Sequence, residues 1–287
     1  SYSVPLGGSG LKLNAGASSI DYRVGKEFSA LGATGNGHTY NLGLLYPVIR
    51  TPRNNLYATL NAEQKTLTDR DLARGEFSSK RLDNITLSAI GDWRDSAIVT
   101  PAASAYTLSL TSGRLGLRAP GQQATDQTPG VGRFTTGRFN KLAYQFSREQ
   151  IIAGEWSIYL GANGQWADKN LDTAEKFSLG GPTGVRAYPV NEVIADEALV
   201  GTLELRYRTS FASLPGKMMF YALADSGTAR VFHNPLATDF GNRTSRSGQG
   251  FGLEWAQPGN FSVKATVAWR NGPRPTSDSS DYRPRVT

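Results

Sequence analysis

One arginine stands alone in the stretch Phe177 to Glu192, FSLGGPTGVRAYPVNE. Arg186 is surrounded there by Gly180, Gly181, Gly184, Pro182 and Pro189, a composition that suits neither a helix nor a strand interior. A guanidinium offers five N–H donors in a planar fork that matches a carboxylate. Three carboxylates are placed to receive it. Asp225, Glu204 and Glu254 each alternate with apolar residues on strand-like segments, so all three project from one face of a sheet. Three like charges side by side repel one another, and an inserted arginine relieves that repulsion. The chemistry these residues suggest is an ion-paired anchor for a stiff loop.

Catalysis has little to work with. The two histidines, His38 and His233, read as loop residues with no nucleophile or acid at motif spacing. Cysteine is absent, which removes disulfides and thiolate metal sites. No nucleotide loop, zinc spacing or calcium loop occurs. Neither an enzyme, a metal site nor a cofactor is therefore expected. The net charge of +7 is dispersed along the chain without a basic block, so no nucleic-acid partner is expected.

The elements that must position the anchor are strands. Leu199, Leu203, Leu205 and Tyr207 alternate with Thr202, Glu204, Arg206 and Arg208. Trp156, Ile158, Leu160 and Ala162 alternate with Ser157, Tyr159, Gly161 and Asn163, and aromatics sit towards the ends of the apolar faces. About twelve such segments are expected, at 1–6, 10–22, 39–50, 54–66, 82–93, 103–118, 138–152, 155–167, 197–210, 217–226, 249–256 and 261–270. Many approach the ~9–11 residues with which a tilted strand crosses a bilayer. Short turns alternate with long polar loops after Tyr22, Lys65, Leu117, Asp168, Asp225 and Arg270, although the link from 93 to 103 is intermediate. The expected fold is all-β, a transmembrane antiparallel β-barrel with apolar residues towards lipid and polar ones towards a wet lumen. Phe177–Glu192 then lies in a long connection on the loop-rich side and folds back into that lumen.

The segment NLDTAEKFSLGGPTGVRAYPVNEVIADEALVGTLELRY resembles the outer-membrane transporters of two-partner secretion, the haemolysin-activation and filamentous-haemagglutinin type within the POTRA-containing assembly superfamily. In that family the sixth extracellular loop carries a Val-Arg-Gly-Tyr-like motif inserted into a sixteen-stranded barrel. Val185, Arg186 and Tyr188 match it, while Ala187 replaces glycine, a change that matters if position 187 needs a positive φ. LADSG matches the family's Phe-x-Asp-x-Gly motif at Asp225 and Gly227, with Leu223 in place of phenylalanine.

The resemblance implies that about twelve of sixteen strands are present. Residues 1–287 would be a partial barrel domain lacking the POTRA domains, the first strands and the last. It also implies location in the outer membrane of a Gram-negative bacterium. The implied activity is export of an unfolded large exoprotein, an adhesin or haemolysin, by a barrel that is a monomer in outer-membrane lipid. The alternatives are a barrel-assembly factor of the same superfamily and a passive porin. Five POTRA domains would favour the first, and large, steady conductance the second.

Overall fold

The computed structural model describes residues 1–23, 34–71, 76–98, 100–275 and 283–287. In chain order the strands are β1 (Tyr2–Pro5), β2 (Lys12–Arg23), β3 (Thr34–Arg50), β4 (Asn54–Asp71), β5 (Glu76–Ile98), β6 (Thr100–Leu117), β7 (Gly137–Ala153) and β8 (Trp156–Ala167). A short helix α1 (Gln122–Asp126) lies between β6 and β7. Then follow β9 (Phe177–Ser178), β10 (Ile194–Ala195), β11 (Glu197–Thr209), β12 (Lys217–Arg230), β13 (Arg243–Gln257), β14 (Phe261–Arg270) and β15 (Arg285–Val286). Thirteen of them make one sheet in sequence order, with β8 paired directly to β11. Every neighbour in it is antiparallel. The remaining two, β9 and β10, pair only with each other inside the β8–β11 connection.

All twelve expected segments are strands of this sheet, and β15 adds a short thirteenth. Several run further than expected on the long-loop side: β4 to Asp71, β12 to Arg230, and β5 from Glu76. Stretches such as Thr68-Asp-Arg70 are polar on both faces, so the hydrophobic period fades while the backbone ladder continues. The doubtful link from 93 to 103 disappears into strand, because β5 reaches Ile98 and β6 opens at Thr100. A register shift between Asp95 and Ile98 absorbs the irregularity. His38, read as a loop residue, lies within β3.

The sheet is apolar outside and polar inside. Leu199, Leu203 and Leu205 on β11 are exposed, whereas Glu204 between them is buried. From β2 to β14 the sheet strands have between 10 and 23 residues, enough to cross a bilayer. Two aromatic pairs mark the short-turn rim: Trp156 with Tyr207, and Trp255 with Phe261, each with ring centroids 4.8 Å apart. Such amphipathic rings suit the level of lipid headgroups.

Among the described residues, buried apolar clusters form where the β8–β11 connection folds onto the concave face. One holds Leu179, Val185, Ala187 and Tyr188 of the connection against Val200, Ala229 and Ala268 of the wall. The other packs Leu171 against Leu82, Leu115, Phe139 and Ala167. Full burial of side chains such as Leu179, Val185 and Tyr188 contributes roughly 1.5–3 kcal/mol each.

Candidate functional site

The tip of the connection is built by its glycines. Gly181 has φ of 99°, open to glycine at little cost. A Cβ on Gly180 would stand 2.2 Å from the carbonyl oxygen of Pro189, and one on Gly184 2.2 Å from that of Leu179. The backbone closes through Gly181 N–H to Tyr188 O at 3.0 Å and Val185 N–H to Leu179 O at 2.8 Å. This compact turn leaves Val185, Arg186 and Tyr188 projecting onto the wall. Val185 and Tyr188 are fully buried, and the Tyr188 hydroxyl donates to Pro273 O at 3.2 Å.

Arg186 meets two of the three carboxylates. Its Nε donates to Asp225 Oδ2 at 2.8 Å and its Nη2 to Asp225 Oδ1 at 2.7 Å, the bidentate fork. The Arg186 backbone N–H adds a bond to Oδ2 at 3.1 Å, and Thr202 Oγ1 donates to Oδ1 at 3.0 Å. Nη1 pairs with Glu204. Because Thr202 lies opposite Asp225 and Glu204 opposite Leu223, the two carboxylates are diagonal neighbours on β11 and β12. Arg186, Glu204 and Asp225 are only 6%, 4% and 2% exposed. Burial alone would lower the guanidinium's pKa, but the bonds and charge of Asp225, then of Glu204, hold it above its ordinary value.

Glu254 is not brought to Arg186, and that expectation is corrected by register. Glu254 lies opposite Met219 and Lys264, whereas the β13 residue opposite Asp225 is Gly248. Six residues of strand separate the two places, about 20 Å. Gly248 instead makes room for the loop, since a Cβ there would fall 2.4 Å from the Ala187 Cβ. Ala187 is not among the residues with positive φ, so the backbone does not require glycine at that position.

Gly227 on β12 has the same use: a Cβ would meet Leu179 Cδ1 at 2.7 Å. Gly227→Ala is expected to weaken docking of the loop by about 1–3 kcal/mol through overpacking. Faster trypsin cleavage of the loop in intact membranes would register it.

The pairing extends beyond Arg186, Asp225 and Glu204. Arg206 donates from Nε to Glu204 Oε2 at 2.8 Å and from Nη1 to Glu149 Oε2 at 2.9 Å, and Glu149 pairs with Arg208 near the short-turn rim. Alternating charges thus run from Asp225 through Arg186 to that rim. A second cluster went unread in the sequence. Glu175 Oε1 meets Lys65 Nζ at 3.2 Å and accepts from Asn84 Nδ2 at 3.0 Å, while Oε2 meets Lys141 Nζ at 2.7 Å. Asp172 pairs with Lys80 at 2.8 Å and caps the turn at Ala174 N–H. The readable signal was Asp172-x-x-Glu175, a helix-start pattern, together with lysines at inward positions.

Burial acts to raise the Glu175 pKa, but the charge and hydrogen bond of Lys141, with Lys65 and Asn84, outweigh it and hold the group below its ordinary range. A depressed carboxylate stabilises the folded loop above its unfolded pKa, and that stability is lost as pH falls through the lower folded value. Proteolysis of the loop should therefore be unchanged from neutral to weakly acidic pH and rise only in strong acid.

Residues 1–254 match the haemolysin secretion/activation protein family ShlB/FhaC/HecB. The heme/hemopexin transporter protein HuxB of Haemophilus influenzae is 28% identical over 272 residues, covering 93% of this chain and 46% of that protein. The chain thus spans about half the length of the curated relatives it matches. CdiB from Escherichia coli superposes with a TM-score of 0.70 at 17% identity, over 96% of this chain and 49% of that one. CdiB from Acinetobacter baumannii gives 0.65 at 16%, over 96% and 47%. At such identity these two structures speak for the fold alone. The family match covers most of the sequence, and the chain belongs to the haemolysin secretion/activation family ShlB/FhaC/HecB.

Proposed function

We propose that the full-length protein exports an unfolded large exoprotein, of adhesin or haemolysin type, across the outer membrane in two-partner secretion. This chain would supply the wall of the passage and the loop that occupies it at rest. The observation that carries the proposal is the buried lock of Arg186 on Asp225 and Glu204. A loop fastened by charge to a polar concave wall obstructs a bore, yet it can be released without breaking a covalent bond. The polar face of Thr202, Asn163, Gln165, Ser262 and Lys264 would keep the passage hydrated. An extended cargo segment would be held through backbone hydrogen bonds to a strand edge, which requires no particular cargo sequence.

The test is to find whether a neighbouring reading frame encodes a large exoprotein and to co-express it with the full-length protein. Exoprotein is expected outside the cell only when the transporter is present. Secretion that is equal without it would defeat the proposal. Loss of other barrels from the membrane on its deletion would point to an assembly factor, and steady, large conductance without secretion to a porin.

A further inference from the structure

Glu175 draws together parts of the wall that the sheet keeps apart. Lys65 is on β4 and Lys141 on β7, three strands away. At about 4.8 Å per strand their backbones stand roughly 14 Å apart along the sheet. Both ammonium groups nevertheless reach one carboxylate, as does Asn84 of β5 between them. They can converge only from the concave side, so Glu175 holds its limb of the loop as a chord across the curve. On the other limb the signs are reversed, with basic Arg186 on the acidic residues of β11 and β12.

The two fastenings differ in kind. Arg186 engages a fork, a backbone N–H and two carboxylates, all deeply buried. The lysines are point charges, and the side chains of Lys65 and Lys141 are 25% and 16% exposed. Glu175 itself is buried, but point-charge pairs whose ammonium partners are partly exposed are weakened by salt more than a buried fork.

We propose that the loop is a clamp whose acidic limb, Asp172 and Glu175, is the releasable end, while Arg186, with the neighbouring pair of buried Glu192 and Arg246, is the fixed end. The bore opens when the acidic limb leaves Lys65, Lys80 and Lys141 with Arg186 still seated. This rests on the export function proposed above, but its first test needs no cargo. The full-length protein in planar bilayers is expected to spend more time open as KCl rises from about 0.1 to 1 M, once bulk conductivity is divided out. Glu175→Gln should raise the open time at low salt by about fivefold or more and weaken the salt response, the Asp172–Lys80 pair carrying what remains. Unchanged open time and salt response in that variant would overturn the clamp. Should Glu175→Gln fail to insert, Lys65→Gln and the salt series on the unaltered protein decide in the same way.

A second arm uses the absence of cysteine from this chain. Asn84→Cys with Glu175→Cys, bridged by a short bis-methanethiosulfonate linker in place of the long side chains, is expected to block secretion and to restore it on reduction. Equal secretion in both states sinks the clamp and leaves export standing. A salt-responsive channel with no transporter-dependent secretion sinks export and leaves the clamp standing.

Discussion

Arg186→Ala is expected to leave the barrel inserted in the membrane while secretion of the exoprotein falls about tenfold or more. The side chain makes no contact with lipid, and sheet pairing proceeds through backbones that the substitution does not touch. What it removes is the guanidinium that bridges Asp225 and Glu204. Breaking a buried pair by deleting one partner costs about 3–5 kcal/mol, here because Asp225 keeps its desolvation with only the Thr202 hydroxyl and the 186 backbone N–H to offset it, while Glu204 retains Arg206. That exceeds the ~1.4 kcal/mol of a tenfold change by a factor of two or more. The loop then loses the fixed end from which its acidic limb is released, and its untethered tip obstructs the bore in place of opening it. Heat-modifiable migration on gels reports insertion, and exoprotein in the medium reports export. Wild-type secretion from an inserted Arg186→Ala protein would remove the role proposed for the loop.

Exchanging the charges, Arg186→Asp with Asp225→Arg, is expected not to rescue export, although the two residues touch. Asp225 accepts from Arg186 Nε, Nη2 and backbone N–H and from Thr202 Oγ1. An arginine at 225 cannot accept any of these and leaves the 186 N–H and Thr202 facing a cation. An aspartate at 186 would also lie beside Glu204, a like charge in a buried place. Secretion at or below that of either single variant is the expected result. Recovery to even half the wild-type level would mean that net charge, and not the fork, holds the loop. Arg186→Lys separates the same two ideas: it keeps the charge, loses the second parallel bond, and should fall between wild type and alanine.

The sheet was legible because its outer face repeats every second residue, as in Leu199, Leu203 and Leu205, and lipid enforces that repeat. Strand ends at Asp71 and Glu76 were not, since above the membrane both faces are wet and the alternation carries no information. Arg186 with Asp225 and Glu204 could be read from an isolated charge in a rigid loop and two inward carboxylates. Glu254 has the same parity and chemistry. What excludes it is its height along β13, a matter of register that parity alone does not contain. The lysine clamp was hidden for a related reason, since Lys65 and Lys141 meet Glu175, and Lys80 meets Asp172, only once the sheet curves. Membership of the family also places the protein in the outer membrane of a Gram-negative bacterium.

The span of the loop's contacts bears on how the molecule assembles. Glu175 bonds a lysine 110 residues earlier in the chain, and Arg186 an aspartate 39 residues later. Until β4 and β12 belong to one curved sheet, those charges have no partners and favour water. Seating of the loop is consequently a late event in folding, delayed by the entropy of closing such long segments of chain. A molecule with its loop seated has, by that fact, already brought the sheet from β4 to β12 into register.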